Sequence, residues 1–135
     1  MIDALDVEAE RRGPREWSLA VPCMTRGEVG VLIAARELTV TLRAFVVRAP
    51  DREAEAVYAR LLHKNLATRH WRFAIDDPGD VFAVADARLD DIHVDHLDGL
   101  LGELSTLVDE VYEPVVRLGF DVPAGTVFAP PPGGD

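Results

Sequence analysis

Acidic and histidine side chains crowd the start of the long helix that the sequence predicts towards its C-terminal end. They are Asp90, Asp91, His93, Asp95, His96 and Asp98. His93 and His96 could share one helical face, a spacing that suits metal ligation or acid–base catalysis. Transition-metal sites draw ligands from several elements, however, and the helix dipole favours acids at a helix start. We therefore expect an ordinary helix start with His93 at the N-cap, no metal and no cofactor. A metal site, or an enzyme that uses His93 or His96, is the alternative.

A second acidic cluster, Asp76, Asp77 and Asp80, surrounds the dipeptide Pro78-Gly79. Carboxylates at short spacing can bind calcium, but these do not fit the twelve-residue loop pattern and lack its closing glutamate. Pro-Gly is strong turn chemistry. The cluster therefore predicts a plain hairpin turn.

Other residues that could carry chemistry lack the partners that the chemistry needs. The single cysteine, Cys23, excludes an internal disulfide and a multi-thiolate metal site, and we expect a small packed thiol. Ser18 and Ser105 lie in no nucleophile motif. Gly99 and Gly102 lie inside the last helix rather than after a strand, so they form no phosphate loop. We expect them to allow another element to approach closely. The sequence thus favours a protein that is not an enzyme.

The composition limits the partners. The 135 residues carry a net charge of -10, which disfavours binding to a nucleic-acid backbone. There is no apolar run long enough to span a membrane. The N-terminus has neither a basic start nor an apolar block, so no secretory signal is expected. Together with the lone cysteine, these features favour a cytoplasmic protein.

The periodicity predicts one α+β domain over residues 1–121 and a flexible Pro/Gly-rich tail over 122–135. Ile2, Leu5 and Ala9 have helical spacing, and Gly13-Pro14 makes a plausible stop. Alternation and turn residues then predict three strands, a middle helix capped by Asp51, and two hairpin strands. Their approximate ranges are 17–21, 29–34, 38–48, 51–68, 71–75 and 81–85.

The last helix has the clearest pattern. From Val94 to Leu118, apolar residues recur at spacings of three and four and fill an arc of roughly 140°. Such an arc favours packing on a sheet over a coiled-coil seam, and Gly119 lies where a left-handed cap would form. Leu100 and Leu107 lie at one margin of the arc. They are the candidate partner-binding residues, an apolar strip left over for another chain.

An ordered series of segments resembles the YbjN family in its actinobacterial form. The resemblance covers roughly residues 15–121 and includes AFVVRAPD (44–51), VYARLLHKN (57–65), FAID (73–76), GDVF (79–82), LDGLLG (97–102) and LGF (118–120). Members are described as type III secretion chaperone-like or as sensory transduction regulators. The resemblance implies an α+β fold of helix, three antiparallel strands, helix, two strands and helix. It also implies a homodimer, and it carries over no catalytic residues.

These observations favour a cytoplasmic, non-catalytic, dimeric module that binds a protein or peptide client, chaperone-like or regulatory. The alternative is a sensory or regulatory domain that binds a small ligand between sheet and helices. A basic cluster near the end of the middle helix could meet an acidic partner, could equally meet the acidic helix of a neighbouring subunit, or could simply compensate the helix dipole. Its members are Arg60, Lys64, Arg69 and Arg72.

Overall fold

A computed structural model describes residues 9–121 and shows one antiparallel sheet with two helices. The strands are β1 (Ala9–Gly13), β2 (Glu16–Cys23), β3 (Gly27–Ala35), β4 (Thr39–Val47), β5 (Arg72–Ile75) and β6 (Val81–Arg88). The helices are α1 (Ala54–Lys64) and α2 (Val94–Gly119), with short 3-10 turns at Asn65–Ala67 and Leu89–Asp91. The expected α+β class is confirmed.

The six strands lie in the order β1-β2-β3-β4-β6-β5, and every neighbouring pair is antiparallel. Alternate residues of β3, Val29, Val31 and Ile33, are buried, while the residues between them are exposed. The buried set forms one core with the apolar faces of α1 and α2. One sheet face is therefore covered by helices, and the other is open.

The N-terminal segment differs from the expectation. Residues 9–13 form β1 rather than the end of a helix, and residues 1–8 lie outside the described range. Gly13-Pro14 begins a hairpin turn, and Arg12 Nε donates to Ser18 Oγ at 2.8 Å across the pair. The apparent helical spacing involved only three apolar residues, and pairing with β2 outweighs so weak a pattern. The predicted tail over 122–135 also lies outside the described residues.

The middle helix starts later than expected. α1 begins at Ala54, and its N-cap is Glu53, which has a left-handed φ of 52°. Asp51, the expected cap, instead accepts a hydrogen bond from Arg48 at 2.7 Å. The Asp51 N–H donates to the carbonyl of Gly119 at 2.8 Å, which joins the start of α1 to the end of α2.

The glycines of α2 do not act as expected. Side chains placed at Gly99 and Gly102 would meet no neighbour within 4 Å, so neither residue provides a close approach. Gly119 does: a Cβ there would lie 2.9 Å from Val57 Cγ2 and 3.2 Å from Pro50 Cβ. Gly119 is the last residue of the helix and is not a left-handed cap.

Candidate functional site

The edge of the sheet beside α1 carries an apolar groove. β5 ends the strand order, so one side of its backbone faces away from the sheet. The groove has a volume of about 80 Å³ and is lined by Tyr58, Leu61, Leu62, Phe73 and Ile75. Leu62 is 66% exposed and Ile75 is 51% exposed. The groove is far below the ~300–1,000 Å³ of small-molecule sites, so it suits a single apolar side chain.

Helical periodicity explains how α1 presents this groove. Val57 and Leu61 are buried in the core, whereas Tyr58 and Leu62 are each one position further along the helix. The 100° step between neighbours places them on the next face of the helix, beside Phe73 and Ile75. Leu66, in the 3-10 turn that follows α1, is also exposed. The outer rim of the groove is therefore apolar and open to solvent.

The side chain of Asn65 covers part of the outer edge of β5. The Phe73 N–H donates to Asn65 Oδ1 at 2.8 Å, and Asn65 Nδ2 donates to the Phe73 carbonyl at 3.3 Å. Asn65 follows α1 directly and forms its C-cap. The end of α1 is thus attached to β5 by a pair of hydrogen bonds.

The β5–β6 turn is held by the acids that suggested calcium. Asp76 Oδ1 accepts from the N–H groups of Gly79 and Asp80, at 3.1 and 2.9 Å. Asp80 Oδ1 accepts from the Ala49 N–H at 2.8 Å, and the Tyr58 hydroxyl donates to the Gly79 carbonyl at 2.8 Å. Burial raises the pKa of Tyr58, which therefore remains a neutral donor. These carboxylates serve the hairpin turn, as expected.

Three of the four histidines meet near the start of α2. His93 is the N-cap, as expected, and the ring centroids of His93 and His96 are 6.1 Å apart. His70, from the segment before β5, lies 6.1 Å from His96, and its Nδ1 lies 2.8 Å from Glu103 Oε2. Within residues 9–121, no group of three or more His, Cys, Asp or Glu side chains is arranged to hold a metal ion. The sequence pattern missed His70 and Glu103, which are separated by 33 positions.

Leu100 and Leu107 lie in the core of the single chain. Leu100 is 2% exposed and Leu107 is 5% exposed, so they do not form the surface strip that the helix pattern suggested. The buried indole of Trp71 donates to the Leu100 carbonyl at 2.8 Å and covers that flank of α2. Leu107 is among the residues that line a cleft of about 400 Å³ between α2 and the end of α1.

The basic cluster is partly engaged within the chain. Lys64 Nζ lies 3.1 Å from Glu110 Oε1 on α2, and Arg72 pairs with Asp86 at 3.3 Å. Arg60 and Arg69 are exposed. Lys64 thus meets the acidic helix of its own chain.

Cys23 is a packed thiol. Burial raises the pKa of Cys23, so less of the reactive thiolate is present at neutral pH. Its Sγ lies 3.8 Å from the Val21 carbonyl. These features do not favour a nucleophile.

The open face of the sheet carries an aromatic pair. Phe45 on β4 and Phe82 on β6 pack edge to face, with ring centroids 5.5 Å apart. The Arg43 guanidinium lies 3.9 Å from the Phe82 ring centroid. Leu32 on β3 is exposed on the same face, and Gly30 leaves open space beside it. This face therefore presents apolar surface to solvent.

Comparison with known proteins places the chain in a family. The model of the YbjN family, described as "Putative bacterial sensory transduction regulator", matches residues 1–117. The chain belongs to the YbjN family. It is 30% identical over 107 residues to uncharacterized protein Mb0497 of Mycobacterium bovis, covering 79% of this chain and 58% of that protein. It is 29% identical over 100 residues to uncharacterized protein ML2442 of Mycobacterium leprae, covering 74% of this chain and 54% of that protein. This YbjN chain thus spans somewhat more than half the length of these relatives.

A solved structure has the same fold. It is a chain in the heterodimeric complex ExoU-SpcU from the type III secretion system of Pseudomonas aeruginosa. The TM-score is 0.52 at 18% identity, and the match covers 80% of this chain and 84% of that one. The type III secretion chaperone-like fold implied by the resemblance is therefore confirmed. None of the helices within residues 9–121 has the length and apolar character needed to cross a membrane.

Proposed function

We propose that this YbjN protein is a non-catalytic, chaperone-like or regulatory module that binds an extended segment of another protein along β5. The observation that carries the proposal is an edge strand, covered by Asn65 only at Phe73, that lies beside an apolar groove. Backbone hydrogen bonds to an edge strand give affinity, and pockets for alternate side chains give specificity. The groove between Leu62 and Ile75 has room for one such side chain. The heterodimeric assembly of the structural neighbour supports a protein as the ligand.

The partner-binding role suggested by the sequence for Leu100 and Leu107 passes, in this proposal, to Leu62, Leu66 and Ile75. The two α2 residues are buried in the core, whereas Leu62, Leu66 and Ile75 are exposed to solvent. A partner contact made by residues that are already exposed requires no rearrangement of the core. We therefore expect polar substitutions at the groove to weaken binding and to leave the fold intact.

The experiment compares capture of partners by tagged wild-type protein and by a Leu62→Gln, Ile75→Thr variant in the native cell. The matched control is Leu38→Gln, because Leu38 is 78% exposed on the β3–β4 turn, away from the groove. A partner identified by mass spectrometry is then purified, and its affinity for all three proteins is measured. The proposal expects weaker binding by the groove variant alone. Equal binding by all three proteins would refute it.

We further propose that two copies associate through the open face of the sheet, where Leu32, Phe45 and Phe82 lie. Apolar residues on an otherwise charged protein favour burial against a second copy. Light scattering of the wild type and of Leu32→Asp tests this idea, with a dimer and a monomer expected respectively. A monomeric wild type would contradict it. A cytoplasmic setting is proposed from the lone cysteine, which suits a reducing compartment.

A second candidate function is a sensory or regulatory domain for a small polar ligand. The observation that favours it is the cleft of about 400 Å³ between α1 and α2. That volume lies within the usual range for small-molecule sites. The lining side chains include Lys64, Thr68, Glu103 and Glu110. A thermal-shift screen of polar metabolites tests this candidate. A stabilising hit that Thr106→Val abolishes would support it, and a screen without hits would count against it.

A further inference from the structure

Asn65 provides Phe73 with the hydrogen bonds that a neighbouring strand would provide. Its side-chain amide carries one carbonyl and an N–H donor, the same groups as a backbone peptide unit. The oxygen accepts from the Phe73 N–H at 2.8 Å, and the nitrogen donates to the Phe73 carbonyl at 3.3 Å. At Phe73, β5 therefore has β6 on one side and the Asn65 amide on the other, although it is an edge strand.

The pairing with β6 fixes which backbone groups of β5 point outwards. Phe73 lies opposite Ala83, and Ile75 lies opposite Val81. In an antiparallel pair, hydrogen-bonded and non-hydrogen-bonded positions alternate. Because Phe73 bonds outwards to Asn65, Ile75 also directs its N–H and carbonyl outwards. An incoming strand would meet Asn65 at Phe73 and open backbone groups at Ile75.

The position of Asn65 is set by the turn that follows α1. Thr68 Oγ1 donates to the Asn65 carbonyl at 3.0 Å, and the Thr68 N–H donates to the same carbonyl at 3.4 Å. The backbone of Asn65 is thus held independently of its side chain. The side chain can rotate away from β5 without unwinding the helix.

We infer that Asn65 is a strand substitute that blocks the β5 edge, and that the extended client segment binds β5 by displacing its amide. Uncovered edge strands invite pairing with other chains, so such a cover prevents association of identical copies. The displacement step rests on the proposed function, whereas the blocking role does not. The client residue opposite Phe73 takes over both hydrogen bonds, and a neighbouring apolar side chain enters the groove beside Ile75.

The first test measures amide hydrogen exchange at Phe73 in Asn65→Ala. Removing the acceptor should speed exchange of this amide by about tenfold. The matched control is Thr68→Ala, which loosens the same turn without uncovering Phe73. Unchanged exchange in Asn65→Ala, or an equal increase in Thr68→Ala, would overturn the inference. Should Asn65→Ala fail to fold, Asn65→Ser takes its place, because its shorter side chain cannot bond both backbone groups of Phe73, and it should raise the association described next.

The second test measures molar mass by light scattering over a range of concentrations. Asn65→Ala should associate at lower concentration than the wild type, through its uncovered β5 edge. Adding Ile75→Pro removes the next outward N–H and should reverse that gain. A mass equal to that of the wild type at every concentration would contradict the blocking role. If Asn65→Ala behaves as expected but no client is found, the blocking role stands and the proposed function fails.

Discussion

Replacing Asp109 tests how α2 is joined to the turn between β2 and β3. The Asp109 carboxylate accepts three hydrogen bonds from the turn between β2 and β3. The donors are the Met24 N–H at 3.1 Å, the Thr25 N–H at 2.9 Å and the Thr25 hydroxyl at 2.9 Å. These bonds connect positions more than 80 residues apart. Asp109 should therefore contribute to global stability.

The size of the effect follows from the exposure of the donors. A hydrogen bond to a charged group contributes about 1.5–3 kcal/mol when shielded from water, and less when exposed. Met24 is exposed, so the two bonds from Thr25 dominate. We expect Asp109→Ala to lower the free energy of unfolding by about 2–3 kcal/mol. For a chain of 135 residues this corresponds to a fall in Tm of roughly 6–15 °C.

Urea denaturation at pH 7 measures this change directly. The control is Asp98→Ala, which removes an exposed acid from the same helix and should change stability by less than about 0.5 kcal/mol. Asp109→Asn keeps one acceptor oxygen, so its loss in free energy of unfolding should lie between those of Asp109→Ala and Asp98→Ala. An effect of Asp109→Ala no larger than that of the control would refute the proposed connection.

The pH dependence supplies an independent check. Burial alone would raise the pKa of Asp109, but the hydrogen bonds from Thr25 and Met24 outweigh it and lower that pKa. The folded pKa thus lies below the unfolded value of about 3.9. The stabilisation is complete above the unfolded pKa and is lost as the pH falls through the folded pKa. As the pH falls from 5 to 3, the difference in free energy of unfolding between the wild type and Asp109→Asn should shrink. A difference that stays constant with pH would contradict this cause.

Three further changes test the core and the thiol. Gly119→Ala should lower the free energy of unfolding by about 1–2 kcal/mol, because the added Cβ would overlap Val57 and this outweighs the better helix propensity of alanine. Combining Gly119→Ala with Val57→Ala should lower the free energy of unfolding by less than the sum of the two single changes. Leu100→Asp and Leu107→Asp should each unfold the chain, since both side chains are buried. A circular dichroism spectrum like that of the wild type would contradict this expectation. At pH 8, Cys23 should react with a thiol reagent more slowly in the folded protein than in protein unfolded by urea, because burial raises the pKa of the folded thiol. Equal rates in the two states would contradict this.

Local patterns were sufficient to predict α2 and the β5–β6 hairpin. The apolar repeat from Val94 to Leu118 matches α2 to within a residue at its C-terminal end. Pro78-Gly79 forms a turn in which Gly79 has a φ of 98°. β1 was missed because its stability comes from pairing with β2. The spacing of Ile2, Leu5 and Ala9 carries no information about that neighbour.

The features of the candidate site depend on contacts between distant residues. Helical periodicity placed Leu100 at the margin of the apolar arc, but it could not show that Trp71 covers that margin. The bonds between Asn65 and Phe73 have no signature in the sequence, since a helix-ending asparagine has many uses. The sequence predicted the middle helix and the first hairpin strand as separate elements and gave no sign that they lie side by side. Their packing against each other forms the groove.

Hydrogen exchange of the outward amides of β5, with and without a purified partner, tests the central proposal most directly. If an extended segment pairs with β5, the Ile75 amide should become protected on binding, while the amides of the β3–β4 turn around Leu38 should not change. Protection confined to β1, to the open face or to α2 would show that the partner binds elsewhere and would contradict the proposed site.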